Sequence, residues 1–124
     1  MQVLVVDDSP VMRHYISRTL HMTGLDVEVH QAENGRDALD KVSTLRPDLV
    51  ITDLNMPEMS GQELIARMQG SEEMRFTPVI VMSALRSPGI SDELMHAGVV
   101  AFMTKPVSPE ALRRRLLSIQ ESKL

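Results

Sequence analysis

Apolar residues follow two rhythms along this chain. Residues 3–6 (VLVV), 49–52 (LVIT), 79–82 (VIVM) and 99–103 (VVAFM) are short, almost continuous apolar runs. That is the pattern of strands covered on both faces. A fifth β-branched segment, residues 27–31 (VEVHQ), alternates instead. Between the runs, apolar positions recur at helical spacing. Met12, Ile16 and Leu20 form one stripe, with Val11 and Tyr15 beside it, after Ser9-Pro10 and before Gly24. Serine caps such a helix, proline suits its first turn, and glycine is a stop. Asn34-Gly35 opens a second helix carrying Ala38, Leu39, Val42 and Leu45, broken by Pro47. The loop LNMPEMSG leads into a third, with Leu64, Ile65 and Met68. Ile90, Leu94 and Met95 suggest a short fourth helix closed by Gly98, and Ser108-Pro109 opens a last one with Leu112, Leu116 and Ile119.

Five strands alternating with five helices predict an α/β domain, because parallel strands need helical crossovers. Such a (βα)5 chain fits one doubly wound parallel sheet in the order 2-1-3-4-5, helices on both faces. No internal repeat, linker or low-complexity segment interrupts it, so residues 1–124 are read as a single domain. Ligands of these sheets bind beyond the carboxyl ends of the strands, which is where function is sought.

Composition then narrows the function classes. Thirteen Lys+Arg against seventeen Asp+Glu give a net charge of −4, which disfavours a nucleic-acid binder acting through bulk charge. With no Cys there is neither a disulfide framework nor a thiolate metal site. No apolar run approaches the ~20 residues that span a bilayer, and no basic segment precedes the first apolar run, so a cytoplasmic location is expected. Aromatics are 2% of the chain, leaving aliphatic residues and ten Met to fill the core.

The strand ends carry the chemistry. Asp7 and Asp8 end the first strand, Asp53 the third and Ser83 the fourth, while Lys105 follows the fifth ahead of Pro106. Taken singly, an Asp after a strand is a turn former or a helix cap. Five reactive side chains at equivalent ends of four strands are not explained that way. Two carboxylates about 5 Å apart repel by roughly 3 kcal/mol at an effective dielectric near 20. Three of them against one Lys call for a further cation, and an all-oxygen ligand set selects Mg²⁺, Mn²⁺ or Ca²⁺ over zinc. Mg²⁺ also leaves room for phosphate oxygens. The residues alone therefore point to a metal-dependent phosphoryl site.

VLVVDDSP, DLVITDLNMPEMSG, VMSA and AFMTKP, in this order and at these separations, resemble the receiver domain of bacterial two-component response regulators. The likeness runs over essentially the whole length and is strongest to the stand-alone chemotaxis type, with its flavodoxin-like, CheY-like fold. It implies that Asp53 is the phosphoacceptor, taking a phosphoryl group from a kinase phosphohistidine. It implies Mg²⁺ as cofactor, held by the carboxylates of Asp8 and Asp53 and the main-chain carbonyl of Asn55, with Asp7 acting largely through water. Lys105 would ion-pair with the phosphoryl oxygens and the Ser83 hydroxyl would bond one of them, leaving Ala84 too small to block access. Ser83 and Phe102 would form the switch, although most receivers carry tyrosine where Phe102 stands. The implied partners are a sensor histidine kinase or phosphotransfer protein, and a downstream target on the face of the fourth helix, fifth strand and fifth helix. No direct nucleic-acid or membrane contact is implied, and the expected state is monomer or weak dimer. The domain would assist its own phosphorylation and dephosphorylation without turning over an external substrate, either alone or as a fragment of a longer regulator.

Further features of the chain bear on this reading. In LRSPGISDE, Pro88-Gly89 is poor helix interior, so the fourth helix is expected to start late, near Ser91. Gly61 is expected to allow a close backbone approach, and Met56 and Met59 to pack the loop. Arg113, Arg114 and Arg115 read as a solvated face, and His14, His21, His30 and His96 lack ligand spacing. The enzyme alternative is a Mg²⁺-dependent phosphohydrolase with an Asp nucleophile; haloacid-dehalogenase-type phosphatases, however, place Asp-x-Asp after the first strand. A flavin carrier of this topology needs a Ser/Thr/Gly-rich loop where this chain has DDSP.

Overall fold

The structure, a computed structural model, describes residues 1–84 and 99–122. In chain order it contains β1 (Gln2–Val6), α1 (Pro10–His21), β2 (Glu28–Ala32), α2 (Gly35–Leu45), β3 (Leu49–Thr52), α3 (Gly61–Gln69), β4 (Val79–Ser83), β5 (Val99–Thr104) and a C-terminal helix (Pro109–Ser122). The expected fourth helix, including its late start near Ser91, lies outside the described residues. The five strands form one parallel sheet in the order β2-β1-β3-β4-β5, as the alternation of elements predicts.

Period-two alternation divides the core into two layers. Leu4, Val6, Val50, Val79 and Val81 pack with Ala38 and Val42 of α2 and Leu64, Ile65 and Met68 of α3. Val3, Val5, Leu49, Ile51, Ile80 and Met82 pack on the other face with Ile16 and Leu20 of α1 and Leu112, Leu116 and Ile119 of the C-terminal helix. β1, β3 and β4 are buried almost throughout, so these strands read as continuous apolar runs. An irregularity between β4 and β5 advances the register, pairing Val79 with Val99 but Ile80 with Ala101. It turns Val100 outward, and Phe102 then falls on the α2/α3 side.

Local capping follows the sequence. Ser9 and Asn34 accept from the Met12 and Asp37 N–H groups, and Ser60 accepts from the Glu63 N–H. Ser108 caps the C-terminal helix, accepting from the Ala111 N–H at 3.1 Å. β1, β4 and β5 each run one residue beyond their apolar runs, and two other boundaries differ from the pattern-based reading. β2 runs one residue later than 27–31, because an edge strand that is only partly covered gives a weaker boundary signal. Helix α1 ends at His21 with Met22 as its cap, and Gly24 takes φ +77° in the turn beyond rather than stopping the helix itself. Among the described residues, no helix is long and apolar enough to cross a membrane.

Candidate functional site

Parallel register builds the site. Val6 pairs with Thr52, so the next residues, Asp7 and Asp53, leave neighbouring strands side by side. Thr52 pairs with Val81, which sets Ser83 one position past the level of Asp53; Ser83 pairs with Thr104, immediately before Lys105. The alternation Val3, Val5, Asp7 is matched by Leu49, Ile51, Asp53 and by Ala101, Met103, Lys105, so these three polar residues share one side of the sheet. Ser83 and Phe102 belong to the opposite series, and Phe102 pairs with Val81, two residues before Ser83.

The carboxylates of Asp7, Asp8 and Asp53 each offer an oxygen within 4.8 Å of the others. Lys105 Nζ lies 3.1 Å from Asp7 Oδ2 and 3.5 Å from Asp53 Oδ2. The Asp7 side chain is 2% exposed, that of Lys105 10% and that of Asp53 15%, whereas Asp8 opens to solvent. The lysine thus sits between two of three clustered acids, leaving the cluster short of positive charge on its open side. A hard divalent cation fits such an all-oxygen donor set.

The main chain at Asp7 and Asp53 is tied by hydrogen bonds to its neighbours. The Asp7 N–H donates to the Ala32 carbonyl at 3.2 Å and the Asp53 N–H to the Val6 carbonyl at 3.1 Å. Asp7 Oδ1 accepts from the Ser9 N–H at 3.0 Å, and the Asp7 carbonyl accepts from Arg13 Nη1 at 2.7 Å. Asp53 Oδ1 accepts from the Leu54 N–H at 2.7 Å, which leaves Oδ2 turned to Lys105. Beyond Asp53 the loop alternates: Leu54 and Met56 are buried in the α2/α3 layer, while Asn55 and Pro57 face outward. The loop closes through a Gly61 N–H to Leu54 carbonyl bond of 2.8 Å, with the main chains in the close approach expected of Gly61.

The sequence-predicted residues therefore divide. Asp7, Asp8, Asp53 and Lys105 come together; Ser83 is buried at the neighbouring strand end, Asn55 is exposed in the loop, and Phe102 is half-buried against the α2/α3 layer. Ala84 is exposed, as an open approach requires. None of the described histidines joins the acidic cluster. Sequence reasoning did not find Arg13, whose guanidinium also donates through Nε to Gln31 Oε1 at 3.0 Å. Its position six residues after Asp7, in the first turns of α1, is the signal that was available.

The response regulator receiver domain family matches residues 3–117. The chain is 40% identical over 108 residues to a protein-glutamate methylesterase/protein-glutamine glutaminase of Archaeoglobus fulgidus, which covers 86% of this chain but 30% of that protein. It therefore spans about a third of the length of the methylesterase relatives it matches. The chemotaxis protein CheY1 of Helicobacter pylori is 33% identical over 117 residues, 94% of either chain. The solved structure of chemotaxis protein CheY4 of Vibrio cholerae matches with a TM-score of 0.84 at 36% identity, covering 95% of this chain and 97% of that one. By these likenesses the chain belongs to the response regulator receiver domain family, the phosphorylation-dependent switches of two-component signalling.

Proposed function

We propose that this receiver domain accepts a phosphoryl group onto Asp53 from the phosphohistidine of a sensor histidine kinase or phosphotransfer protein. The observation that carries the reading is the convergence of Asp7, Asp8 and Asp53 within 4.8 Å, with Lys105 on the inner side. Asp53 Oδ2 is the attacking atom, because Oδ1 is already engaged by the Leu54 N–H. A bond forms from Oδ2 to phosphorus, the P–N bond to the imidazole breaks, and the ring leaves with that electron pair. Asp8, Asp53 and the main-chain carbonyl of Asn55 are the ligands proposed for Mg²⁺, with Asp7 acting through water. Bound there, the ion supplies positive charge against the phosphoryl oxygens and the clustered carboxylates. Lys105 ion-pairs with the transferred group and orients it, and the Ser83 hydroxyl donates to one of its oxygens. Transfer of this kind is mainly positioning and electrostatics, which the tied main chain of Asp7 and Asp53 supports.

Ser83 and Phe102 are the proposed switch. They share one face of the sheet on neighbouring strands, so movement of the hydroxyl toward a phosphoryl group opens space on the side where the ring packs. Phe102 has no hydroxyl to hold an outward position, so packing alone favours its inward rotamer and loosens coupling to output. The proposed output surface is the face of the expected fourth helix, which lies outside the described residues, together with β5 and the C-terminal helix, and the domain works in the cytoplasm as a monomer or weak dimer. It acts as a binding module that assists its own phosphorylation and dephosphorylation.

Incubation with acetyl phosphate and Mg²⁺, read by intact mass, tests this function. One phosphoryl group is expected on the parent, with none on Asp53→Asn and none in EDTA. Label surviving in Asp53→Asn, or forming equally in EDTA, overturns the assignment.

A further inference from the structure

Among the described residues, Lys105 is the cation whose side chain pairs with the carboxylates of both Asp7 and Asp53, yet it stands in a loop between β5 and the C-terminal helix. What fixes that loop lies far away in sequence. Tyr15, on α1, makes two hydrogen bonds to one residue of it: Oη donates to the Val107 carbonyl at 3.2 Å and accepts from the Val107 N–H at 2.9 Å. Val107 is two residues beyond Lys105 and is buried in the layer against which Tyr15 packs. On the other side of the lysine, the Lys105 N–H donates to the Ser83 carbonyl at 2.8 Å. The loop is thus pinned on both sides of Lys105, once to β4 and once to the helix that starts from Asp7 and Asp8.

We propose that the Tyr15 hydroxyl is a positioning group for Lys105: it clamps Val107 to α1 and so holds the lysine ammonium where a phosphoryl group on Asp53 meets it. A two-way bond suits this task, since a hydroxyl that both donates and accepts fixes the direction of the Val107 peptide as well as its distance. A phenylalanine at position 15 keeps the ring packing but leaves both polar groups of Val107 without that partner. The loop then samples more positions, and the cost falls on phosphoryl binding rather than on the metal, whose proposed ligands sit on the ends of β1 and β3. The inference rests on Lys105 being the phosphoryl partner, as argued under the proposed function.

Beryllofluoride binding, measured by fluorine NMR at saturating Mg²⁺, separates the two claims when Tyr15→Phe, Lys105→Met and the double variant are compared with the parent. Tyr15→Phe is expected to bind Mg²⁺ within about twofold of the parent and beryllofluoride about fivefold to tenfold more weakly, the effect of one misplaced hydrogen-bonded group. In the Lys105→Met background the same change is expected to cost less than about twofold, because the two residues act as one unit. Three results overturn the clamp: unchanged beryllofluoride affinity in Tyr15→Phe, an equal loss in both backgrounds, or a parallel loss of Mg²⁺ affinity that marks general loosening. Unchanged affinity in Lys105→Met overturns the role of Lys105 itself, and the inference with it. A second reading needs no variant: hydrogen exchange at the Val107 amide in the parent is expected to change on beryllofluoride saturation. Identical exchange with and without the ligand counts against the coupling.

Discussion

Gly61 lies directly against the main chain of Asp53: a Cβ built on it would come within 2.1 Å of the Asp53 carbonyl oxygen and 2.9 Å of Leu54 Cα. The obstacle is backbone on a strand end, held by the bond from the Thr52 hydroxyl to the same carbonyl at 2.9 Å. Gly61→Ala in open space would gain a little helix stability at the start of α3. Here the clash decides the sign, and a loss of about 2–3 kcal/mol is expected in urea melts, with slower labelling of Asp53 by acetyl phosphate. Parent-like stability would show that the two main chains are not in contact.

The acidic cluster predicts opposite effects of one substitution with and without metal. Asp8→Ala removes one of three like charges, so the metal-free protein should gain about 1 kcal/mol, or ~3–5 °C for a domain of this size. Mg²⁺ should raise the melting temperature of the parent, because it binds the folded chain, and leave Asp8→Ala unmoved. Calorimetric melts in EDTA and in Mg²⁺ provide the comparison. An equal metal shift in both proteins would remove Asp8 from the ligand set.

Lys105 has a structural burden of its own. Its ammonium is paired with two carboxylates that are largely out of solvent, and taking it away strands them. Lys105→Met in EDTA should lose about 3 kcal/mol, the scale for breaking a buried pair from one side. Much of the loss should return in Mg²⁺, since a second cation then offsets the charge of the same carboxylate cluster. A variant as stable as the parent in EDTA would mean that the ion pairs are not formed.

The arginine run near the C terminus separates into parts. Arg113 Nη1 donates to the Thr23 carbonyl at 2.6 Å, tying the C-terminal helix to the turn after α1. All three arginines, Arg113 included, are exposed, as the reading of a solvated face had it. Arg113→Ala should cost about 1 kcal/mol and Arg114→Ala less than ~0.5 kcal/mol by denaturant unfolding. Equal costs at the two positions would contradict the contact.

The strands on either side of the switch point were legible because burial on both faces leaves them almost wholly apolar. β1 and β3 are almost unbroken apolar runs followed by acids, so the sequence located both the sheet and its reactive edge. The close approach at Gly61 was equally legible from its place at the start of a helix after a tight loop. Less could be read where the deciding partner is remote. The edge strand β2 is exposed or half-buried along most of its length, and its boundary slipped by one position. The register advance at Val99 depends on β4 and leaves no mark in the local pattern. The two bonds between Tyr15 and Val107 span 92 residues, and no spacing rule points from one to the other. Arg13, by contrast, stands only six residues after Asp7, where the turn of α1 brings its guanidinium back to the Asp7 carbonyl.

Chemical mapping of the modified residue is the most direct test of all this. After acetyl phosphate and Mg²⁺, borohydride reduces an aspartyl phosphate to homoserine, and peptide sequencing by mass spectrometry finds its position. The account predicts homoserine at position 53 alone, absent when the reaction is run in EDTA. Homoserine at position 7 or 8, or at position 53 without any need for metal, would contradict it.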